Sequence, residues 1–463
     1  MVCSCHDNQP HGNANVDEDL IMWYDTPGTV FKSEALTIGN GNIQSFFLGS
    51  VNPEKIRFTE HSLLLHKKNT PPHNDKPVVY TSMGTFEIQN LTNDNAQIEN
   101  YKRGLDLNTG RGFVEYSCNG SKYKRTFFGN VPDKVMVYKF ESDKQNDYVI
   151  TFASTHYTSA FQLVGNMFMK SGYVEDNMLK FVINGRIDTD GDLRASNDSI
   201  YIHNATEFVI IHNAATSYNT STNLYDDNYT KKATEIISNI SSQYYNQLAK
   251  TQLQHYDSIF GSVEIELGHG KNHQPINLRL PNHYNGNNDF GLEELMFQYG
   301  RYVAIAYAAV DSMQTLSNTW CNDCISQNIN IQNRDSLLHA INTLEQENSY
   351  VSLICKMLFL SKLQEGESAI KTLGKLMYPI RTNNNIQKQG IFLNLNTSDG
   401  QNESNMLITT AMSEMLLNAE TEQVLPALPK NWKEGHIKGL RSINGNTFNI
   451  YWKDNKLDKV EKY

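Results

Sequence analysis

Amide, carboxyl and thiol side chains are the groups through which this chain could do chemistry. Asn328 and Asn330 lie two residues apart, so both amides project from one side of an extended segment. Asp399 precedes Gly400 in a polar string, where an Asp-Gly pair is also typical of an ordinary turn. The spacing alone leaves the role of these residues open.

Metal and redox chemistry receive little support from the sequence. Cys321 and Cys324 form a lone C-x-x-C pair, whereas a structural zinc ion needs four ligands and no second pair lies nearby in the sequence. The histidines are scattered without the i, i+4 spacing of a helical metal pair. We therefore expect no metal site and no cofactor.

The composition argues against a nucleic-acid-binding protein and against a membrane-spanning one. The chain has 463 residues and a formal net charge of −10, which repels a phosphate backbone, so no nucleic acid partner is expected. No stretch approaches the roughly 18 consecutive apolar residues of a membrane span. Residues 1–19 lack the basic and apolar regions of a signal peptide, and no membrane span or export signal is predicted.

Changes in sequence character predict five regions along the chain. Residues 1–19 are polar and are expected to form a flexible arm. Residues 20–268 consist of short β-type runs separated by turn signals, which favours a large β domain. Residues 269–290 are predicted to be a connector without periodicity, residues 291–420 a helical domain, and residues 421–463 a small β domain.

Local patterns support this division. Asn119-Gly120 between two alternating runs predicts a tight hairpin turn, because this pair readily adopts positive φ angles. Apolar residues recur at helical spacing from about Leu292 to Val310. Similar helical patterns cover Val351 to Met377 and Met406 to Leu417, and an alternating strand pattern covers Thr447 to Trp452.

Several motifs are similar to those of one known family, glycoside hydrolase family 95, which comprises the inverting α-1,2-L-fucosidases and their relatives. The resemblance covers nearly all of the chain after Asp19, with one large gap. It rests on Leu20–Pro27, Glu34–Gly41, Glu54–Glu60, Tyr101–Leu107, Arg125–Phe128, Ala214–Asn219, Tyr256–Phe260, Phe297–Tyr302 and Leu425–Lys430. The resemblance implies a multidomain β plus α fold: an N-terminal β-sandwich of the supersandwich type, an (α/α)6-type helical domain and a small C-terminal β domain.

The helical region is short for such a barrel. A ring of twelve helices needs about 200 residues, whereas roughly 130 lie between Leu292 and Glu420. We therefore expect a truncated barrel.

The resemblance also assigns catalytic roles. Gln327–Gln332 is similar to the family's asparagine motif, which implies that Asn328 and Asn330 hold the attacking water. Ser398–Gln401 is similar to the motif around the family's base, which implies that role for Asp399. The segment that would carry the general acid lies inside the deletion, and Glu345 and Glu347 are more typical of a solvated helix surface.

These observations leave two functional hypotheses. The first is an α-L-fucosidase-like glycoside hydrolase that removes terminal fucosyl groups from glycans by inversion, with activity impaired by the truncation and the missing acid. The second is a non-catalytic glycan-binding or scaffold protein built on the same β-sandwich. A fragmentary product that folds poorly is a third possibility, because a partial barrel exposes apolar inner faces.

The tryptophans leave a related question open. Trp23, Trp320, Trp432 and Trp452 could stack on sugar faces, although tryptophans in amphipathic segments are more often packing anchors. A glycan or oligosaccharide is the expected partner under either hypothesis. The resemblance implies an extracellular or periplasmic location, and the sequence does not indicate the oligomeric state.

Overall fold

The computed structural model describes most of the chain with gaps. It covers residues 18–63, 82–92, 97–174, 179–196, 198–219, 222, 224–240, 245–268, 272–307, 337–338, 341, 350–376, 381–382, 385–386 and 401–463.

Strands dominate the N-terminal half. The described strands are β1 Ile21–Tyr24, β2 Leu36–Gly39, β3 Ile43–Phe47, β4 Glu54–Glu60, β5 Gly84–Asn90, β6 Ile98–Asp106, β7 Arg111–Cys118, β8 Ser121–Asn130, β9 Val135–Ala153, β10 Tyr157–Thr158, β11 Gln162–Val164, β12 Met167–Val174, β13 Leu179–Thr189, β14 Asp192–Ser196, β15 Ser199–Thr216, β16 Tyr218–Asn219, β17 Leu224–Tyr225, β18 Glu264–Glu266, β19 Arg381–Thr382, β20 Asn385–Ile386, β21 Gly435–Arg441, β22 Thr447–Lys453 and β23 Lys456–Lys462.

All the described helices except α1 and α2 lie in the second half of the chain. The described helices are α1 Phe31–Glu34, α2 Tyr229–Ser238, α3 Tyr245–Phe260, α4 Ile276–Tyr284, α5 Phe290–Tyr307, α6 Tyr350–Lys362, α7 Gly366–Leu376 and α8 Gln401–Leu416.

The first fifteen strands form one antiparallel sheet with two arms that meet at β9. One arm runs β1-β6-β7-β8-β9, continues through β15, β13 and β12 and ends at β10, and the other runs β2-β3-β4-β5 onto β9. The first part of β9 pairs with β8 and its last part pairs with β5, so this one strand links the arms. A second sheet has the order β18-β21-β22-β23.

Aromatic side chains from the two arms pack against each other. The ring centroids of Phe47 and Phe127 are 4.6 Å apart, and those of Phe58 and His212 are 4.9 Å apart. His212 Nε2 lies 2.8 Å from the Tyr138 hydroxyl, and burial lowers the pKa of this histidine to about 3. The imidazole is therefore neutral and belongs to the core at physiological pH.

The predicted hairpin turn at Asn119-Gly120 is confirmed, because both residues have positive φ and join β7 to β8. Strand β9 is 19 residues long and includes both Met136–Phe140 and Tyr148–Ala153. The pattern over Val351–Met377 is divided into α6 and α7 by a turn in which Gln364 has a φ of 65°.

The predicted connector at 269–290 is wrong in one respect, since helix α4 lies inside it. Ile276, Leu280 and Tyr284 recur every four residues, which is helical spacing, but the helix has only nine residues and Pro281 lies within it. Tertiary contacts compensate: Arg279 donates to both carboxylate oxygens of Asp289, at 2.9 and 2.8 Å, which ties α4 to the start of α5. Both side chains are buried, so this pair is a fixed structural joint.

Candidate functional site at one end of the helical layer

Helices α5, α6, α7 and α8 form what we call the helical layer. Along the chain, successive helices of this layer run in opposite directions. Helices α6 and α7 are joined by three residues and form an antiparallel hairpin. Helix α8 runs antiparallel to α5, because the segment after α8 contacts both the end of α8 and the beginning of α5. The Ala427 amide donates to the Met415 carbonyl oxygen at 3.1 Å, and Trp432 Nε1 donates to the Glu293 carboxylate at 2.7 Å.

Helices α6 and α8 end together, since Lys362 Nζ lies 3.7 Å from the carboxylate of Glu420. The C-terminus of α5 at Tyr307 therefore shares one end of the layer with the N-termini of α6 and α8 and the C-terminus of α7. We call this end the Tyr307 end.

The two segments that carry the predicted site residues both leave and return at the Tyr307 end. Asn328 and Asn330 belong to the connection from α5 to α6, and Asp399 belongs to the connection from α7 to α8. All three residues lie outside the described residues, as do Glu345 and Glu347. The structure describes the helix ends at which these two segments begin and finish.

The turn between β2 and β3 packs on the Tyr307 end. The Gly41 amide donates to the Ala306 carbonyl oxygen at 3.0 Å, and the Tyr302 hydroxyl donates to the Thr37 carbonyl oxygen at 2.7 Å. The Tyr307 hydroxyl lies 2.9 Å from Thr37 Oγ1. The N-terminal sheet thus fixes the last turn of α5, from which the Asn328 segment departs.

A buried carboxyl group lies next to this turn. Glu60, at the end of β4, is 5 % exposed and accepts hydrogen bonds from the Ser62 amide at 2.9 Å, from the Ser62 hydroxyl and from the Asn42 side chain. Burial raises the pKa of Glu60 to about 7, and these hydrogen bonds oppose the increase.

Glu60 is therefore a carboxyl group that can hold or release a proton near neutral pH. Glu60 ends the Glu54–Glu60 motif of the family resemblance, which assigns it no role. In the sequence, the available signal was an acid at the end of a strand pattern and two residues before a serine.

The opposite end of α5 is held by a second buried cluster. Glu293 accepts a hydrogen bond from Trp432 Nε1 at 2.7 Å and lies 2.9 Å from His283 Nε2. These contacts join α4, α5 and the C-terminal segment. The expectation that tryptophans are packing anchors holds for Trp432 and Trp452, which are 0 % and 2 % exposed.

Among the residues that the structure describes, no three His, Cys, Asp or Glu side chains are grouped as a metal site would require. Over the same residues, no helix combines the length and apolar character needed to cross a membrane.

Comparison with known proteins assigns three parts of the chain. Residues 64–221 match the N-terminal domain of glycosyl hydrolase family 65, residues 244–334 match the catalytic domain of glycosyl hydrolase family 95, and residues 418–462 match the C-terminal domain of glycoside hydrolase family 95. Two of the three matches are thus to domains of glycoside hydrolase family 95, and they support membership of that family. The family-95 catalytic match includes Asn328 and Asn330, whereas Asp399 lies between the two family-95 matches.

Curated relatives of this chain are named as fucosidases and have low sequence identity to it. “Probable alpha-fucosidase A” of Aspergillus niger is 22% identical over 374 residues, which cover 67% of this chain and 47% of the relative. “Alpha-L-fucosidase 2” of Arabidopsis thaliana is 21% identical over 358 residues, which cover 63% of this chain and 42% of the relative. The chain thus spans less than half the length of these relatives.

A solved structure of a bacterial glucoamylase complexed with acarbose aligns with a TM-score of 0.35 and 9% sequence identity. The alignment covers 86% of this chain and 71% of the glucoamylase chain.

Proposed function

We propose that this family-95 chain is an α-L-fucosidase-like glycoside hydrolase that removes terminal fucosyl groups from glycans with inversion. The observation that carries the proposal is the shared end of the helical layer. The segment with Asn328 and Asn330 and the segment with Asp399 both start and finish at the Tyr307 end. This topology supports a single pocket to which all three side chains contribute.

In the proposed reaction, the amides of Asn328 and Asn330 orient a water molecule and the Asp399 carboxylate accepts its proton. The water oxygen bonds to the anomeric carbon from the face opposite the leaving group. The bond from that carbon to the glycosidic oxygen breaks, and the departing oxygen takes its proton from solvent water, because the segment that would carry the family's general acid is missing. Inverting enzymes hold the two carboxyl groups roughly 6.5–9.5 Å apart, which leaves room for the water.

We further propose that the N-terminal sheet is a β-sandwich and that the helical domain is a truncated (α/α)6 barrel. The truncation is supported by length, because the stretch between Leu292 and Glu420 is too short for twelve helices. Loss of a general acid removes about 10² to 10⁴ in rate, so slow turnover is expected.

Fucose release from 2′-fucosyllactose tests the proposal. The purified full chain should release fucose, and Asp399→Ala should lower the rate by at least about 100-fold. Asp458→Ala is the matched control, because Asp458 is an exposed acid on β23 and lies outside the helical layer. Release that is equal in Asp399→Ala and Asp458→Ala would contradict the role of Asp399.

Glycan binding without turnover is a second candidate function. It is favoured by a groove on the outer face of the N-terminal sheet, which lies apart from the Tyr307 end. A folded wild-type chain that binds 2′-fucosyllactose or a longer glycan and releases no fucose would support this second function against the first.

A further inference from the structure

A groove of about 700 Å³ crosses the outer face of the N-terminal sheet. One cross-strand row of residues passes through it: Trp23 lies opposite Gly104, Gly104 opposite Phe113, Phe113 opposite Thr126, and Thr126 opposite Lys139. The row crosses four spacings between strands, which is a length of about 19 Å. The groove is therefore elongated and suits an extended ligand.

Aromatic rings lie along this row and are held in place. Trp23, at one end, donates through Nε1 to the His273 carbonyl oxygen at 3.1 Å. Phe113 lies in the middle beside Gly104, where a Cβ atom would come within 2.7 Å of the Phe113 ring. Tyr245 lines the groove at its other end. The rings are thus arranged before any ligand binds, which lowers the entropic cost of binding.

Charged side chains of both signs line the groove in equal number. The Lys124 Nζ atom lies 3.3 Å from the Glu115 carboxylate, and the Lys139 Nζ atom lies 2.8 Å from the Glu141 carboxylate. The lining carboxylates are Glu18, Asp106, Glu115 and Glu141, and the lining cations are Lys102, Arg111, Lys124 and Lys139.

This charge balance favours neither an anion nor a cation. Each paired carboxylate keeps lone pairs that can accept hydrogen bonds, and each paired lysine keeps N–H groups that can donate them. An uncharged polyhydroxylated chain matches this arrangement, because its hydroxyl groups can bond both kinds of side chain and its C–H faces can pack on the aromatic rings.

We infer that the groove binds an uncharged oligosaccharide along the row from Trp23 to Lys139. The inference rests on the proposed function for the class of ligand only, since it requires a glycan and not its hydrolysis. The groove shares no lining residue with the contacts at the Tyr307 end. When one part of a glycan is bound in the groove, the effective concentration of the other parts of that glycan near the rest of the protein is raised.

Affinity gel electrophoresis of the full chain in gels that contain xyloglucan, a neutral polysaccharide, tests the inference. The wild-type chain should be retarded, and gels with anionic polygalacturonate should retard it less. Trp23→Ala should weaken binding about 10-fold. Thr126→Arg should weaken it at least as much, because a long side chain at this half-buried position fills the middle of the groove.

Tyr157→Ala is the matched control, since Tyr157 is an aromatic residue that is 64% exposed on β10 and does not line the groove. Its retardation should equal that of the wild type. Thermal melts of all variants show whether each is folded, and the two groove variants give independent results if one of them fails to fold.

The inference is overturned if the folded wild-type chain is not retarded by xyloglucan, if polygalacturonate alone retards it, or if neither groove variant changes the retardation. It is also overturned if the wild type dimerises, does not bind xyloglucan and becomes monomeric in Thr126→Arg, because the face would then join two copies. Fucose release is a separate readout. Retardation without fucose release supports the groove and contradicts the proposed hydrolysis.

Discussion

The groove on the outer sheet and the Tyr307 end of the helical layer are assembled in different ways. Most of the groove comes from β6 to β9, which are consecutive strands whose register places side chains in rows. The Tyr307 end joins β2, α5 and α8, which are far apart in sequence, through close approaches such as that of Gly300 to Asn405. The first site depends on strand register and the second on helix packing.

The largest effect should come from the sheet, where a buried ion pair fixes two strands. Arg125 Nη1 lies 2.6 Å from the Glu54 carboxylate, and Arg125 also donates to the Ser50 and Val51 carbonyl oxygens. We expect Arg125→Met to lower the free energy of unfolding by about 3–5 kcal/mol, because it leaves a buried carboxylate without its partner. Urea denaturation measures this change.

Lys122→Met is the control for that variant, since Lys122 is an exposed cation on the same strand. Its free energy of unfolding should stay within about 0.5 kcal/mol of the wild type. Equal effects of the two substitutions would mean that the buried pair does not stabilise the sheet.

A smaller effect is expected at the helix contact that frames the Tyr307 end. A Cβ atom at Gly300 would overlap Thr409 Oγ1 and the Asn405 carbonyl oxygen, so Gly300→Ala must push α5 and α8 apart. We expect a loss of about 1–3 kcal/mol in the free energy of unfolding, together with lower fucose release.

Gly374 on α7 provides the matched comparison, because a Cβ atom there meets no atom within 4 Å. Gly374→Ala should raise the free energy of unfolding by about 0.4–1 kcal/mol and leave fucose release unchanged. If both alanine variants change stability in the same direction, the close approach at Gly300 is not a determinant of the frame.

The smallest of these effects concerns pH at the turn beside the Tyr307 end. The folded pKa of Glu60 is raised from 4.5 to about 7, so its contribution to stability is fully present below pH 4.5 and is lost as the pH rises through about 7. Between pH 6 and pH 8 the wild type should lose about 1 kcal/mol relative to Glu60→Gln, which does not titrate.

Paired thermal melts of the wild type and Glu60→Gln at both pH values measure this difference. A difference that is constant with pH would show that Glu60 is not a buried titrating group. The comparison needs only the change with pH and is unaffected by any constant cost of the glutamine.

Much of the sheet and of the helix pattern could be predicted from the sequence, because both depend on local periodicity. The Asn119-Gly120 turn and the helical face from Leu292 are examples. Helix α4 was missed, because its apolar pattern covers only nine residues and is interrupted by Pro281, and because the Arg279–Asp289 pair that holds it joins residues ten positions apart.

The two sites also differ in how far the sequence could predict them. The motif resemblance predicted catalytic roles for Asn328, Asn330 and Asp399, but the relative positions of the segments that carry them depend on helix directions that no local pattern gives. The groove could not be predicted from the sequence, although Trp23 was named there as able to stack on a sugar. Trp23 and Phe113 come to lie in one row only through the register of β1, β6 and β7.

The most direct test of the central claim is a double-mutant cycle on fucose release from 2′-fucosyllactose with Asn328→Ala and Asp399→Ala. If both side chains act on one water at the Tyr307 end, the double variant should be no slower than the slower single variant, within a factor of about three. Losses that multiply, so that the double variant is slower by the product of the two single factors, would contradict a shared site.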